Sequence, residues 1–242
     1  DRFQIVTGKR FFNAKGELPS GEAPAIGFVY GQREAVKWRP LNDKRFTQDG
    51  AARIFWGIDS CRKNNTKTIV ICEGEVDCLS VASSVIDDQI GILSVPNGAP
   101  QRVNNRRIDP SEDNKFNYVW EAKDVLKAAE KVILAVDSDE AGEALREELA
   151  RRIGRAKCYE VKYPEGTKDV NDVLVKHGEE KVVEVVFDAE PMPLEGVYRV
   201  EDYKSEVKHL YTNGVMGGLS TGISPVDDLF TIVQGQLSVI TG

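Results

Sequence analysis

Three places in this sequence set carboxylates directly behind apolar runs. Glu73 follows "TIVIC" in "TIVICEGEVDCLSV", Asp137 and Asp139 follow "KVILAV" in "KVILAVDSDEAG", and Asp169 lies in "GTKDVNDVL", shortly after "KCYEVKYP". Near-continuous apolar runs are what strands buried on both faces look like. A negative charge at the edge of a core is costly unless something neutralises it. Asp137 and Asp139 are two apart, so an extended backbone turns both to one side and Ser138 to the other. With a Glu from a neighbouring strand they make an oxygen-only set. Hard divalent cations such as magnesium or manganese take such ligands and fill their remaining sites with water and phosphate oxygens. Two such ions can hold the attacking and leaving oxygens of a phosphoryl transfer.

Helix capping is the competing explanation, because acidic residues in a first turn favour free amides and the helix dipole. It suits Glu75 and Asp77, which are expected mainly to settle the helix that follows Glu73, and it extends to Glu140. Asp139 could serve as an N-cap and as a ligand. Glu73 and Asp137 sit further back on their strands, where capping does not explain them. An acidic EGExD after one buried strand and a DxDxxG after a later one point together to one sheet edge.

A basic counterpart lies upstream. In "AVKWRP" the period-2 alternation puts Lys37 and Arg39 on one strand face and Val36 and Trp38 on the other. Residues 1–70 hold 13 lysines and arginines against 7 acidic residues, in a chain whose net charge is −7. A basic first third beside an acidic remainder is one pattern of a nucleic-acid or nucleotide site. Random surface variation accounts for the charge split alone equally well.

The elements that must position these groups fall into three segments. Residues 1–58 read as short strands and turns, with a hairpin-like turn at Asn13–Gly16 and strands in "AIGFVYG" and "EAVKWRP". Residues 67–190 alternate strand and helix. The strands are "KTIVIC", "IGILSVP", "KVILAVD" and "AKCYEVKYP", and the helices fall near 75–86, 120–130, 140–153 and 178–188. Such alternation predicts an α/β fold with a parallel sheet, its sites beyond the carboxyl ends of the strands. In residues 191–242, "EPMPLEG" reads as a linker. A helix over 198–213 follows, with Val200, Tyr203, Val207, Leu210 and Tyr211 on one stripe and Gly214 beyond its end.

Composition sets further bounds. The chain is 41% hydrophobic and 29% charged, as soluble globular proteins are. No apolar run reaches the roughly 18 residues of a membrane span. The cysteines Cys61, Cys72, Cys78 and Cys158 form no CxxC pair, and His177 and His209 are the two histidines, which argues against a structural zinc site. Cys72 and Cys158 read as core residues, which suits a reducing cytosol or organelle interior. The start "DRFQIVTGKRFF" has neither initiator Met nor signal pattern and reads as a cut within a longer protein.

The acidic pattern resembles a Toprim domain, the α/β metal-binding fold of bacterial-type primases, topoisomerases and some nucleases. "TIVICEGEVDCLSV" and "KVILAVDSDEAGEALREELA" carry the resemblance, and "KDVNDVL" is similar to the further acidic motif of the primase branch. "AVKWRP" resembles the basic stretch that precedes Toprim in bacterial and phage primases. "GLSTGISPVDDLFTIVQGQLSVITG" resembles the opening of the RecA-like helicase domain of ring-forming phage and mitochondrial (Twinkle-type) primase–helicases, just short of the phosphate-binding loop.

The resemblance implies a basic strand-rich primase subdomain at 1–66, Toprim at 67–190, a linker with its helix at 191–217 and a truncated helicase start at 218–242. It implies a metal-dependent primase that joins ribonucleoside triphosphates on a single-stranded DNA template. Glu73, Asp137, Asp139 and Asp169 would hold magnesium or manganese, with Glu73 alternatively a general base. Lys37 and Arg39 would neutralise phosphates, with Lys44 and Arg53 as weaker candidates. Arg102, Arg106 and Arg107 form a polar loop that could touch template or nucleotide.

Further partners would be the helicase domain of the same chain and neighbouring subunits, and the parent would unwind DNA with NTP hydrolysis. The compartment would be the cytoplasm of a bacterial or phage-infected cell, or the mitochondrial matrix, with no membrane partner. Two other classes stay open: a non-catalytic Toprim module that supports a replicative helicase, and a Toprim nuclease, against which the helicase-like tail argues.

Overall fold

The computed structural model describes residues 3–99, 113, 115–194, 196–197, 200–214, 218–232, 235, 237, 239 and 241. Arg102, Arg106 and Arg107 lie outside the described residues. Two compact units divide the chain, Asp1–Pro193 and Leu194–Gly242.

The first unit opens with an antiparallel meander of β1 (Ile5–Phe12), β2 (Gly21–Tyr30), β3 (Ala35–Pro40) and β4 (Thr47–Gly50). The turn expected at Asn13–Gly16 falls two residues later, closed by a bridge between Lys15 and Leu18 on the way from β1 to β2. One face of the meander packs Phe12, Ala25, Val29, Val36 and Trp38 into a small core. Trp38 lies flat on Gly27, where an added Cβ would stand 2.8 Å from the indole ring. Its indole N–H donates to Asp49 at 2.8 Å. Cross-strand partners share a face. Tyr30 with Ala35, Phe28 with Lys37 and Ile26 with Arg39 therefore line the opposite side. The alternation expected for Lys37 and Arg39 is the one observed.

That opposite side closes onto a three-layer α/β/α body. Its sheet runs in the order β6 (Ile90–Ser94), β5 (Thr68–Cys72), β7 (Lys131–Ala135), β8 (Cys158–Glu160) and β9 (Glu190–Pro191). The first four are parallel, and β9 is an antiparallel edge. Alternate strand residues feed two cores. Ile69, Ile71, Leu93, Val132 and Leu134 pack against α1 (Ile58–Asn64), α3 (Asn117–Glu121), α4 (Lys123–Ala128) and α5 (Glu140–Ile153). Val70, Cys72, Ile92, Ile133 and Ala135 pack against α2 (Glu75–Ser84), α6 (Val170–His177) and α7 (Glu179–Phe187). Phe28, Tyr30 and Ala35 of the meander join this second core. Trp56 anchors the junction, stacked on Phe3 and donating its indole N–H to the Val29 carbonyl at 3.0 Å. All four cysteines are buried, and none forms a disulfide.

The α/β architecture with a parallel sheet and a strand-rich start is thus the one expected, with local differences. The helix expected over 120–130 is two helices that meet at Ala122. Helices α1 and α6 have no counterpart among the expected elements: each runs only about two turns, and the first turn of α6 lies within the acidic motif. The linker expected from residue 191 starts later: Glu190–Pro191 pair with β8, and Met192 is buried. In the second unit, a 3-10 turn over Val200–Tyr203 leads into α8 (Lys204–Asn213), and Gly214 caps it. Tyr203, Val207, Leu210 and Tyr211 are exposed along that stripe. A bridge between Leu219 and Ile232 encloses α9 (Ser224–Asp227).

Gly142 sets how closely α5 seats on the turn after β7. A Cβ at this position would overlap the Asp137 carbonyl oxygen, which is backbone and cannot swing aside. Alanine would gain roughly 1 kcal/mol of helix propensity but lose about 1–3 kcal/mol to overpacking. Gly142→Ala is therefore expected to lower the denaturant midpoint, by about 1 kcal/mol or more in stability. Urea unfolding followed by circular dichroism checks the sign.

Candidate functional site

Parallel pairing sets Cys72 beside Ala135. Glu73 and Asp137 consequently leave the sheet at one edge. The backbone N–H groups of Ala99 and Asp137 lie near the Glu73 carboxylate and oppose the rise in its pKa. Two of the other acidic residues are helix caps. Asp139 accepts from the Gly142 N–H at 2.8 Å to start α5. Asp169 accepts from the Asp172 N–H at 2.7 Å to start α6. The Ser138 N–H donates to the Lys168 carbonyl at 2.9 Å and fastens these two turns together. Lys168 then lies between Asp137 and Asp169, its Nζ 3.6 Å and 3.4 Å from their Oδ2 atoms.

Asp77 belongs to this cluster although it sits inside α2. It accepts the Asn171 N–H at 3.2 Å and so helps cap α6, not its own helix. Glu75 makes no cap bond either: the N-cap of α2 is Gly74, with no side-chain bond. Both sit in the first turn of α2, as the dipole argument expected, but neither makes a side-chain cap bond to that helix. Glu75 is buried, taking the Tyr30 hydroxyl at 2.5 Å and the Lys37 ammonium at 2.9 Å.

Burial and mutual repulsion show in the acidities. Burial, then the nearby Asp137, pushes Glu73 up to about 7. Burial, then Asp169, pushes Asp77 up to about 7. Burial also raises Asp137, while Lys168 pulls it back. On Lys168 burial opposes the charge, yet Asp137 and Asp169 outweigh it and raise the pKa.

The basic groups form the facing wall. One cleft of about 260 Å³ is lined by Lys37, Arg39, Lys44, Arg45 and Phe46 on one side and by Glu75, Asp77, Lys168 and Asp169 on the other. Arg53 is not part of it. It lines a separate polar depression of about 340 Å³ with Gln48, Asn97, Asn117 and Tyr118. Lys168, Glu75 with Tyr30, and Asp77 are the site groups that the spacing argument passed over. Lys168 alone had a local signal, as the residue before Asp169.

Among the described residues, no three His, Cys, Asp or Glu side chains converge into a ready-made metal cage. The donors nevertheless fit a hard divalent cation. They are all oxygens, they repel one another, and Glu73 Oε2 is buried with no hydrogen-bond partner. The Lys168 ammonium already bridges two of the carboxylates, as a cation would.

A raised carboxylate pKa means that the folded chain keeps a proton the unfolded chain has released, so stability falls as pH rises through the window. For Glu73 the window runs from 4.5 to about 7, and for Asp77 from 3.8 to about 7. Without divalent cation, the melting temperature is expected to fall across that range. The loss should be on the order of 1–2 kcal/mol per carboxylate after solvent screening. Glu73→Gln should flatten the fall. Melts in chelator at stepped pH check this, and a rise in stability toward neutral pH would contradict it.

Comparison with known proteins agrees with this geometry. Residues 70–174 match the Toprim-like family. The Twinkle homolog protein, chloroplastic/mitochondrial, of Arabidopsis thaliana is 37% identical over 234 residues, which is 92% of this chain and 32% of that protein. The Primase homolog protein of the same plant is 38% identical over 178 residues, 70% of this chain and 51% of that protein. The chain thus spans about a third to a half of the length of these relatives. The primase fragment of the bacteriophage T7 primase-helicase protein shares the fold, with a TM-score of 0.54 at 24% identity, over 68% of this chain and 63% of that one. Residues 70–174 form a Toprim domain, and over 92% of its length the chain is a homologue of the Twinkle homolog protein of Arabidopsis thaliana.

Proposed function

We propose that this chain is the primase module of a primase–helicase, extending short RNA primers on a single-stranded DNA template. One observation carries the reading. Asp77 and Asp169, the latter joined through Lys168 to Asp137, face Lys37, Arg39 and Lys44 across one cleft, and Glu73 and Asp137 lie close enough to Asp77 to raise its pKa. Opposite charges so placed suit a substrate that is itself a polyanion carrying cations, such as a ribonucleoside triphosphate.

In this reading Glu73, Asp137, Asp139 and Asp169 hold magnesium or manganese. The bound cation supplies charge neutralisation for the triphosphate and the departing pyrophosphate. Lys37, Arg39 and Lys44 neutralise phosphate oxygens from the facing wall. The primer 3′-hydroxyl attacks the α-phosphorus of the incoming ribonucleotide, the bond to pyrophosphate breaks, and the hydroxyl proton leaves. As the alternative to a ligand role, Glu73 is the general base that accepts that proton. Arg53, in its separate depression beside Asn97 and Asn117, serves the template rather than the triphosphate.

Residues 194–242 would lead into the helicase part, with neighbouring subunits as further partners. Of the two compartments the resemblance implies, an organelle matrix is favoured by the chloroplastic/mitochondrial name of the plant relative.

A second reading is a Toprim module retained for DNA binding and helicase assembly. Lys168 supports it, because the chain's own ammonium already neutralises Asp137 and Asp169. Incorporation of labelled ribonucleotides on single-stranded DNA, with magnesium or manganese, separates the two. Primers are expected from the wild type, and at least about 100-fold fewer from Glu73→Gln and Asp137→Asn. No primers from the wild type, with single-stranded DNA still bound, would overturn the primase reading in favour of the second.

A further inference from the structure

We infer that Glu75 and Tyr30 are positioning residues for Lys37, holding its ammonium at the wall of the cleft, where its charge meets a phosphate oxygen. The inference rests on the reading that Lys37 meets the triphosphate. Capping does not account for Glu75, which makes no cap bond and is buried. It forms an ion pair with Lys37 at 2.9 Å, their side chains only 7% and 16% exposed. Tyr30, 1% exposed, donates its hydroxyl to the same carboxylate oxygen at 2.5 Å. Burial, then Glu75, raises the Tyr30 pKa well above its ordinary value, so the phenol remains a donor at any working pH.

The contacts on the ammonium fix its place. The Lys37 Nζ meets Glu75 Oε1 at 2.9 Å and Oε2 at 3.3 Å, the Pro96 carbonyl at 3.4 Å, and lies over the Phe46 ring, 5.5 Å from its centroid. The charge is thereby held at the wall of the cleft that Lys37 lines, where a phosphate oxygen can meet it. Arg39 and Lys44 line the same cleft with no ion pair among the described residues. They can adapt to a substrate, whereas Lys37 is set before one arrives. Breaking such a buried pair is costly, and replacing it by apolar residues is often neutral or better, so its presence is better explained by placement than by stability. Preorganised charge of this kind removes the entropy of fixing a lysine at the moment of binding.

The test is equilibrium binding of magnesium–ATP to the chain, with initial rates of primer synthesis alongside. Glu75→Ala should weaken binding and raise the nucleotide KM about tenfold, the size of one charge-assisted hydrogen bond, with a smaller change in kcat. Tyr30→Phe should shift both the same way and by less. Glu75→Gln, which keeps an acceptor oxygen, should restore most of the affinity. Adding Glu75→Ala to Lys37→Ala should cost nothing further, because the pair acts through one ammonium. Losses that add, or unchanged affinity in Glu75→Ala, would overturn the inference. If Glu75→Ala fails to fold, Tyr30→Phe decides: unchanged affinity overturns it and weakened affinity supports it. A wild type that binds no nucleotide would instead sink the primase reading beneath it.

Discussion

Everything about this structure turns on carboxylates that the fold forces together and that repel one another. Glu73, Asp77 and Asp137 are each pushed toward holding a proton by burial and by acidic neighbours. The apolar strands that deliver them cannot release them: parallel pairing of β5 and β7 delivers both strand ends to the same edge. The Ser138–Lys168 backbone bond brings the turn before α6 to the same place. Such an arrangement is unstable unless positive charge answers it, and the chain supplies part of the answer through Lys168.

The meander supplies another part. Its inner face serves two purposes along one strand. Near Ala35 it is core, sharing Phe28 and Tyr30 with the parallel sheet. Two and four residues on, it is a basic wall of Lys37 and Arg39 over the acidic edge. Packing of the first part thereby fixes the distance of the second. A shared apolar core is rigid on the scale of a hydrogen bond, which is what a site built from two sheets requires. The buried triad of Tyr30, Glu75 and Lys37 sits where the core gives way to the cleft.

Much of this was legible before any coordinates, for identifiable reasons. Parallel strands buried on both sides leave unbroken apolar runs, so "TIVIC" and "KVILAV" announced themselves, and the carboxylates behind them followed. Period-2 alternation placed Lys37 and Arg39 together because β3 is regular. What stayed hidden depended on partners far along the chain. Glu75 looks like a first-turn helix residue, and nothing local says that its carboxylate meets a lysine 38 positions earlier. Asp77 likewise caps a helix 94 positions away. Arg53 has the right charge and the right neighbourhood in sequence, yet the meander turns it into a different depression. The helix α6 was overshadowed by the acidic motif that begins it, although Val170, Val173 and Leu174 have helical spacing.

The central claim is that the acidic edge is a cation site and not merely a set of helix caps. Manganese binding to the chain, followed by the loss of free-ion electron paramagnetic resonance signal, tests it most directly. Saturable binding by the wild type that is lost in Glu73→Gln and in Asp137→Asn is the predicted result. Absence of binding, or binding unchanged by both substitutions, would contradict the claim and leave Lys168 as the counter-charge that the described residues offer Asp137 and Asp169.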